Sequence, residues 1–172
     1  SMRFPDPIRL AAGNSTTVEV TFRPVIYEPY DDFIIQLTEN LKGSITNVWY
    51  VDKYATLKAQ RKRLAKIVES FKRVLGNCTF GLLTAFDPYS KGDRDRGDCK
   101  KKMKEISDLV HFMEDYSIAP HNRYVVIQTN KETRWWSLPD GLVSGMSRVK
   151  SATKLEPGRG IEESVSNFIV SV

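Results

Sequence analysis

Alternation opens the chain. Thr17 to Phe22 places Val18, Val20 and Phe22 on one side and Thr17, Glu19 and Thr21 on the other, the period-two pattern of a half-buried strand. Residues 1–16 contain Pro5, Pro7 and the run Ala11-Ala12-Gly13-Asn14, which reads as an extended arm and a turn. Val25-Ile26-Tyr27, bracketed by Pro24 and Pro29, reads as a second short extended piece. Ile45 to Val51 ends in Val48-Trp49-Tyr50-Val51, all strand formers. The period then changes. Over 54–75 the positions Leu57, Leu64, Val68, Phe71 and Leu75, with Ile67 and Val74 beside them, make one apolar helical stripe. Gly76 follows as a helix-terminating residue. Thr79 to Phe86 is almost continuously apolar, as a strand covered on both faces should be, and Asp87-Pro88 stops it.

Further along, Met103, Ile106, Val110 and Met113 have helical spacing, which predicts a second helix over 98–116 closed by Pro120. Arg123 to Thr129 is another strand, and Trp135 to Leu138 a short one before the turn Pro139-Asp140-Gly141. The stretch 89–98 is a charged flexible loop by composition, and 144–160 a second one. Residues 162–172 predict a short helix and a final strand, Phe168 to Val172. Residues 31–41 satisfy both periods. Ile34, Leu37 and Leu41 fit a helix opened by Asp31-Asp32, whereas Phe33, Ile35 and Leu37 alternate. The acidic start tips the balance to helix.

The order strand 45–51, helix, strand 79–86, helix, strand 123–129 reads as two consecutive strand–helix–strand units. Such units give parallel strands with right-handed crossovers. The expected class is therefore α/β: a three-layer single domain with N-terminal antiparallel strands added. The alternative is an α+β fold with residues 17–51 in an antiparallel sheet.

Charge changes the picture more than composition does. With 41% hydrophobic and 27% charged residues the chain is neither disordered nor fibrous. No apolar run is long enough to span a membrane as a helix. The net charge is +5, but residues 52–104 alone carry fifteen basic and six acidic side chains, and each flanking stretch is net acidic. Such a block is the electrostatic footprint of a polyanion partner, nucleic acid or an acidic protein. Two cysteines, Cys78 and Cys99, are too few for a disulfide scaffold, and His111 and His121 stand apart, so no metal and no cofactor is expected. The chain reads as intracellular, with a secreted fragment as the alternative suggested by the sequons at Asn14 and Asn77. Ser1-Met2 resembles a cloning remnant before an initiator, so a piece of a longer polypeptide is expected.

Two constellations could carry function. Lys58, Lys62, Lys66 and Arg73 lie on one helical stripe, and Lys100, Lys101 and Lys102 start the next helix. Phosphate recognition needs little more than such a surface, because counterion release supplies most of the affinity. Trp135 and Trp136 could stack on an unpaired base. The leading expectation is thus a non-enzymatic module that binds nucleic-acid backbone. A protein-interaction domain docking an acidic partner is the runner-up.

The second constellation is the carboxyl end of the predicted parallel strands, where doubly wound sheets collect ligands. It offers Asp52, Thr84 and Asn130. Tyr50-Val51-Asp52-Lys53-Tyr54-Ala55-Thr56 resembles the first motif of haloacid-dehalogenase phosphatases, a hydrophobic strand followed by Asp-x-Asp-x-Thr. The resemblance implies Asp52 as nucleophile and Thr84 as phosphate binder, but Tyr54 stands where that family has its general acid/base aspartate. The third expectation is therefore a degenerate phosphatase-like or small-ligand domain.

Overall fold

The computed structural model describes residues 2–3, 19–22, 30–89, 91–113, 115–139, 141–142, 150–156 and 160–172. In chain order the strands are β1 (Met2–Arg3), β2 (Glu19–Phe22), β3 (Ile45–Val51), β4 (Thr79–Thr84), β5 (Leu109–Phe112), β6 (Tyr124–Thr129), β7 (Thr133–Ser137) and β8 (Lys150–Leu155). The helices are α1 (Asp31–Leu37), α2 (Arg61–Leu75), α3 (Arg96–Lys104) and α4 (Glu163–Ser171), with one 3-10 turn at Lys58–Gln60 leading into α2. The strands form one mixed sheet in the order β1-β2-β8-β7-β6-β3-β4-β5. The α/β class holds. In the α+β alternative, residues 17–51 would pair with one another, but three strands separate β2 from β3.

The pleat sorts side chains into two cores. On one face Val48, Tyr50, Phe80, Leu82, Val125, Ile127 and Trp136 meet Phe33, Ile34 and Leu37 of α1, Leu64, Ile67, Val68 and Phe71 of α2, and Cys99 and Met103 of α3. On the other, Trp49, Val51, Leu83, Tyr124, Val126 and Trp135 pack under Val165 and Ile169 of α4. The result is three helices, a sheet and one helix in three layers. Each fully buried Leu, Ile, Val or Phe on α2 contributes about 1.5–3 kcal/mol, so the stripe read from the sequence is what seats this helix. Gly76 ends it at φ 74°, its N–H bonding Lys72 O at 2.9 Å. The ambiguous 31–41 segment is helical over Asp31–Leu37. Its last carbonyls are capped from far along the chain, Leu37 O by Trp136 Nε1 at 3.1 Å and Glu39 O by Arg134 Nη1 at 2.6 Å.

The helix predicted over 54–75 begins only at Arg61, after the turn at Lys58–Gln60, and three larger expectations fail. The helix predicted over 98–116 ends at Lys104, and Leu109–Phe112 is a strand parallel to β4. Ser107 makes the break: its hydroxyl lies in donating reach of both Phe80 O at 3.0 Å and Leu109 O at 2.8 Å, while Asp108 accepts from Phe80 N–H at 2.9 Å. The helical spacing of Val110 was accidental, and the unpaired groups of β4 outweighed it. Secondly, β6 is antiparallel to β3, not parallel. A parallel return needs a crossover of a dozen or more residues, usually a helix. With residues 109–112 in a strand, only 113–123 connects β5 to β6, so β6 starts at the end of the sheet where β5 stops. Thirdly, the C-terminal segment is helical through Ser171, with no final strand, and β8 occupies part of the expected 144–160 loop. Residues 144–149 and 157–159 of that loop, 1 and 4–16 of the arm and the piece at 25–27 lie outside the described residues.

Candidate functional surfaces

Register builds a row across the carboxyl end of the parallel strands. Val51 pairs with Leu83 on one side and Tyr124 on the other, so the next position aligns Thr84, Asp52 and Arg123 on the face toward α2. Asp52 is fully buried. Its Oδ2 accepts from Tyr50 Oη at 2.5 Å and its Oδ1 from Tyr54 N–H at 2.8 Å, with Arg123 Nε 3.5 Å from Oδ1. The carboxylate thus holds the turn leaving β3, a role Asp performs through its own side chain. Burial pushes its pKa above the ordinary aspartate value, against the lowering effects of the Tyr50 and Tyr54 hydrogen bonds and of Arg123. Thr84 is equally buried, and its Oγ1 has no hydrogen-bond partner among the described residues.

Asn130 does not join them. Because β6 runs antiparallel, Asn130 sits at the opposite end of the sheet, where its Oδ1 accepts from Ser44 N–H at 2.8 Å. A nucleophilic carboxylate needs access to its substrate, and Asp52 is enclosed with both oxygens engaged. Of the residues that resemble the phosphatase motif, Asp52 is bonded into the turn after β3, and Thr84 lies beside it in the row.

Around this row lies a cluster no local pattern announced. Lys53 is almost completely buried, with its ammonium 4.5 Å from the Tyr116 ring centroid, 5.6 Å from that of Tyr54 and 3.4 Å from Ala119 O. Tyr54 Oη lies 2.6 Å from His121 Nδ1, and the Arg123 guanidinium is 5.3 Å from the Tyr54 ring. These contacts join residues 53–54 to 116–123, more than sixty positions apart, which is why no spacing rule could find them. They tie the β5–β6 connection down over the end of β3.

The basic block divides into two sets. Arg73 makes a bidentate pair with Asp31, at 2.6 and 2.9 Å, and Lys72 bonds Asp108 at 2.7 Å. Asp93 collects Arg61 from the start of α2 and Lys102 from α3, the latter at 3.2 Å, and Lys102 also reaches Asp98. Asp93 is itself nearly enclosed, its side chain only 3% exposed, so this node joins the two helices. Lys58, Lys62, Lys66 and Lys101 are exposed and Lys100 half-buried, and among the described residues no carboxylate pairs with any of these five. They lie on α2, the turn before it and α3, neighbouring helices on one face of the sheet.

Trp135 and Trp136 are core residues at 5% and 2% exposure. Trp135 packs edge-on against Tyr124 at 5.8 Å, and Trp136 donates to Leu37 O. Neither ring is presented to a base. Among the described residues no helix is long and apolar enough to cross a membrane. Comparison with protein-family models and with curated proteins finds no match for this chain.

Proposed function

We propose that the chain is a non-enzymatic binding module whose α2–α3 face contacts a polyanion, nucleic-acid backbone in the first place. The supporting observation is the set of five lysines without carboxylate partners among the described residues, Lys58, Lys62, Lys66, Lys100 and Lys101, gathered on α2, the turn before it and α3. Arg73 and Lys102, read from the sequence as part of the same track, are already committed to Asp31 and to Asp93 and Asp98. Their charge is locally neutralised, so they add little to phosphate attraction.

The test is a fluorescence-polarisation titration with labelled single-stranded RNA and duplex DNA at about 50 and 200 mM salt. With five lysines on phosphates, log K against log salt falls with a slope of about −4.5 for duplex DNA. The Lys58→Glu, Lys62→Glu, Lys66→Glu triple variant abolishes binding, whereas Arg73→Met changes it little. Absence of binding at the lower salt, or binding without a salt slope, overturns the reading. An acidic protein partner is the second reading. It is favoured by the burial of Trp135 and Trp136, which leaves the face without the rings that would stack on bases.

A further inference from the structure

β5 is the last strand of the sheet, and among the described residues nothing pairs with its outer side. Met113 N–H donates to Thr84 O at 2.7 Å. In a parallel ladder alternate residues turn their backbone groups to the same neighbour. Leu109, His111 and Met113 therefore address β4, and Val110 and Phe112 direct N–H and C=O away from it. The strand sequence Leu-Val-His-Phe carries no lysine and no proline, the residues that usually guard an edge.

Both flanks of this edge are shaped. On the α4 side a cavity of about 270 Å³ opens beside the strand, lined by His111, Met113, Ile118, Pro120, Phe168 and also Asp115. His111 stacks on Phe168 with centroids 4.4 Å apart, and Ile118 is 78% exposed at the rim. The Asp115 carboxylate is already engaged by Ser117 N–H at 2.9 Å and Ser117 Oγ at 2.8 Å. On the other flank α3 brings up two cations. The Arg96 guanidinium stands 5.2 Å from the Phe112 ring centroid, and burial, then the nearby charges of Lys100 and Arg96, lower the His111 pKa. Neither Arg96 nor Lys100 has a carboxylate partner among the described residues.

We propose that β5 accepts an extended peptide of a partner protein as an added strand, apolar side chains entering the cavity beside Phe168 and acidic side chains meeting Arg96 and Lys100. Backbone hydrogen bonds to Val110 and Phe112 supply attachment, and the alternation of pocket and cations supplies selectivity, as in other strand-addition complexes. Lys100 is shared with the α2–α3 face proposed above, but the β5 edge, the cavity and Arg96 lie apart from the outer face of α2, and the site does not depend on that face binding nucleic acid.

The probe is a fluorescein-labelled octapeptide alternating glutamate and leucine, with a second version N-methylated at alternate amides. The unmodified peptide binds saturably, and the affinity drops at least tenfold on N-methylation, in Arg96→Glu and in Ile118→Asp. It is unchanged in the Lys62→Glu, Lys66→Glu double variant. Hydrogen exchange supplies a readout that general charge attraction would not move: the Val110 and Phe112 amides exchange rapidly in the free protein and become protected with peptide bound. Equal binding of the N-methylated peptide overturns the proposal. So does loss of binding only when Lys62 and Lys66 are reversed, which would place the peptide on α2. Absence of binding, or Val110 and Phe112 amides already protected in the free protein, overturns it as well.

Discussion

Tyr50 Oη donates to Asp52 Oδ2 at 2.5 Å, a bond between two residues on the same face of one strand and the turn that follows it. The same hydroxyl accepts from Leu142 N–H at 3.0 Å, and Leu142 O accepts from Tyr30 Oη at 3.1 Å. Three remote segments, around residues 30, 50 and 142, are therefore joined through two buried phenols and the Leu142 backbone. Burial, then the neighbouring Asp52 charge, pushes the Tyr50 pKa far up, so this hydroxyl keeps its proton and its donor role at every ordinary pH.

Tyr50→Phe keeps the ring and removes the bridge. Asp52 Oδ2 and Leu142 N–H both lose a partner, and a buried group left unsatisfied costs about 1–3 kcal/mol. The expected loss of stability is about 2–4 kcal/mol, read in urea unfolding as a lower midpoint with an unchanged m-value.

Asp52 itself produces a pH dependence of defined sign. Its pKa is raised in the folded protein, chiefly by burial. The native state then binds the proton more readily than the unfolded state, and stability declines as pH rises from the unfolded value through the raised one. Asp52→Asn lacks this titration. The stability of the variant relative to the parent therefore grows across that window and levels off above it. A difference that stays constant with pH from 3 to 8 would contradict the burial argument.

Asp93 gives the opposite sign. Burial raises its pKa, but the Arg61 and Lys102 hydrogen bonds outweigh burial and leave the carboxyl below the ordinary value. Its contribution is present above the unfolded pKa and lost as pH falls through the folded one. Asp93→Asn leaves the largely buried Arg61 guanidinium without its counter-charge and lowers stability by about 3 kcal/mol at pH 7. The variant loses less than the parent on acidification below pH 4. Thermal unfolding followed across that range measures both effects.

Gly81 lies directly opposite Trp49 in the parallel pair β3–β4, and the indole covers it. A Cβ at Gly81 would meet Trp49 Cε3 and Cζ3 at 2.5 Å. Gly81→Ala therefore displaces the ring that holds Phe168 of α4 edge-on at 5.1 Å, at a cost of about 1–3 kcal/mol. Combining it with Trp49→Leu costs less than the sum of the two single changes, because both act on one contact. Additive losses in denaturant titrations would show that the ring is not what Gly81 accommodates.

The legible parts of the chain are those whose periodicity reports their own burial. The stripe at Leu64, Ile67, Val68 and Phe71 and the apolar run at 79–84 reveal a helix packed on one side and a strand covered on both, because each side chain's fate follows from the element's own geometry. The acidic start at Asp31-Asp32 was enough to favour helix in 31–37. The basic block was legible as a count of charges. Which lysines stay unpaired was not, because Asp31, Asp93 and Asp108 reach them from other segments.

By itself, then, the sequence determined the α/β class, the central β3–α2–β4 unit and the concentration of positive charge between residues 52 and 104. Only the tertiary structure decided the end of α3, the existence of β5, the direction of β6 and the burial of both adjacent tryptophans. Helix propensity over 105–112 competed with the unpaired backbone groups of β4, and the outcome depended on Ser107 and Asp108 bonding to Phe80, residues nearly thirty positions away. The reversal of β6 followed from that outcome, because a connection without a helix does not carry the chain back across the sheet. Local patterns record how an element meets its surroundings, whereas the partners of its backbone and charged groups are settled only when distant segments come together.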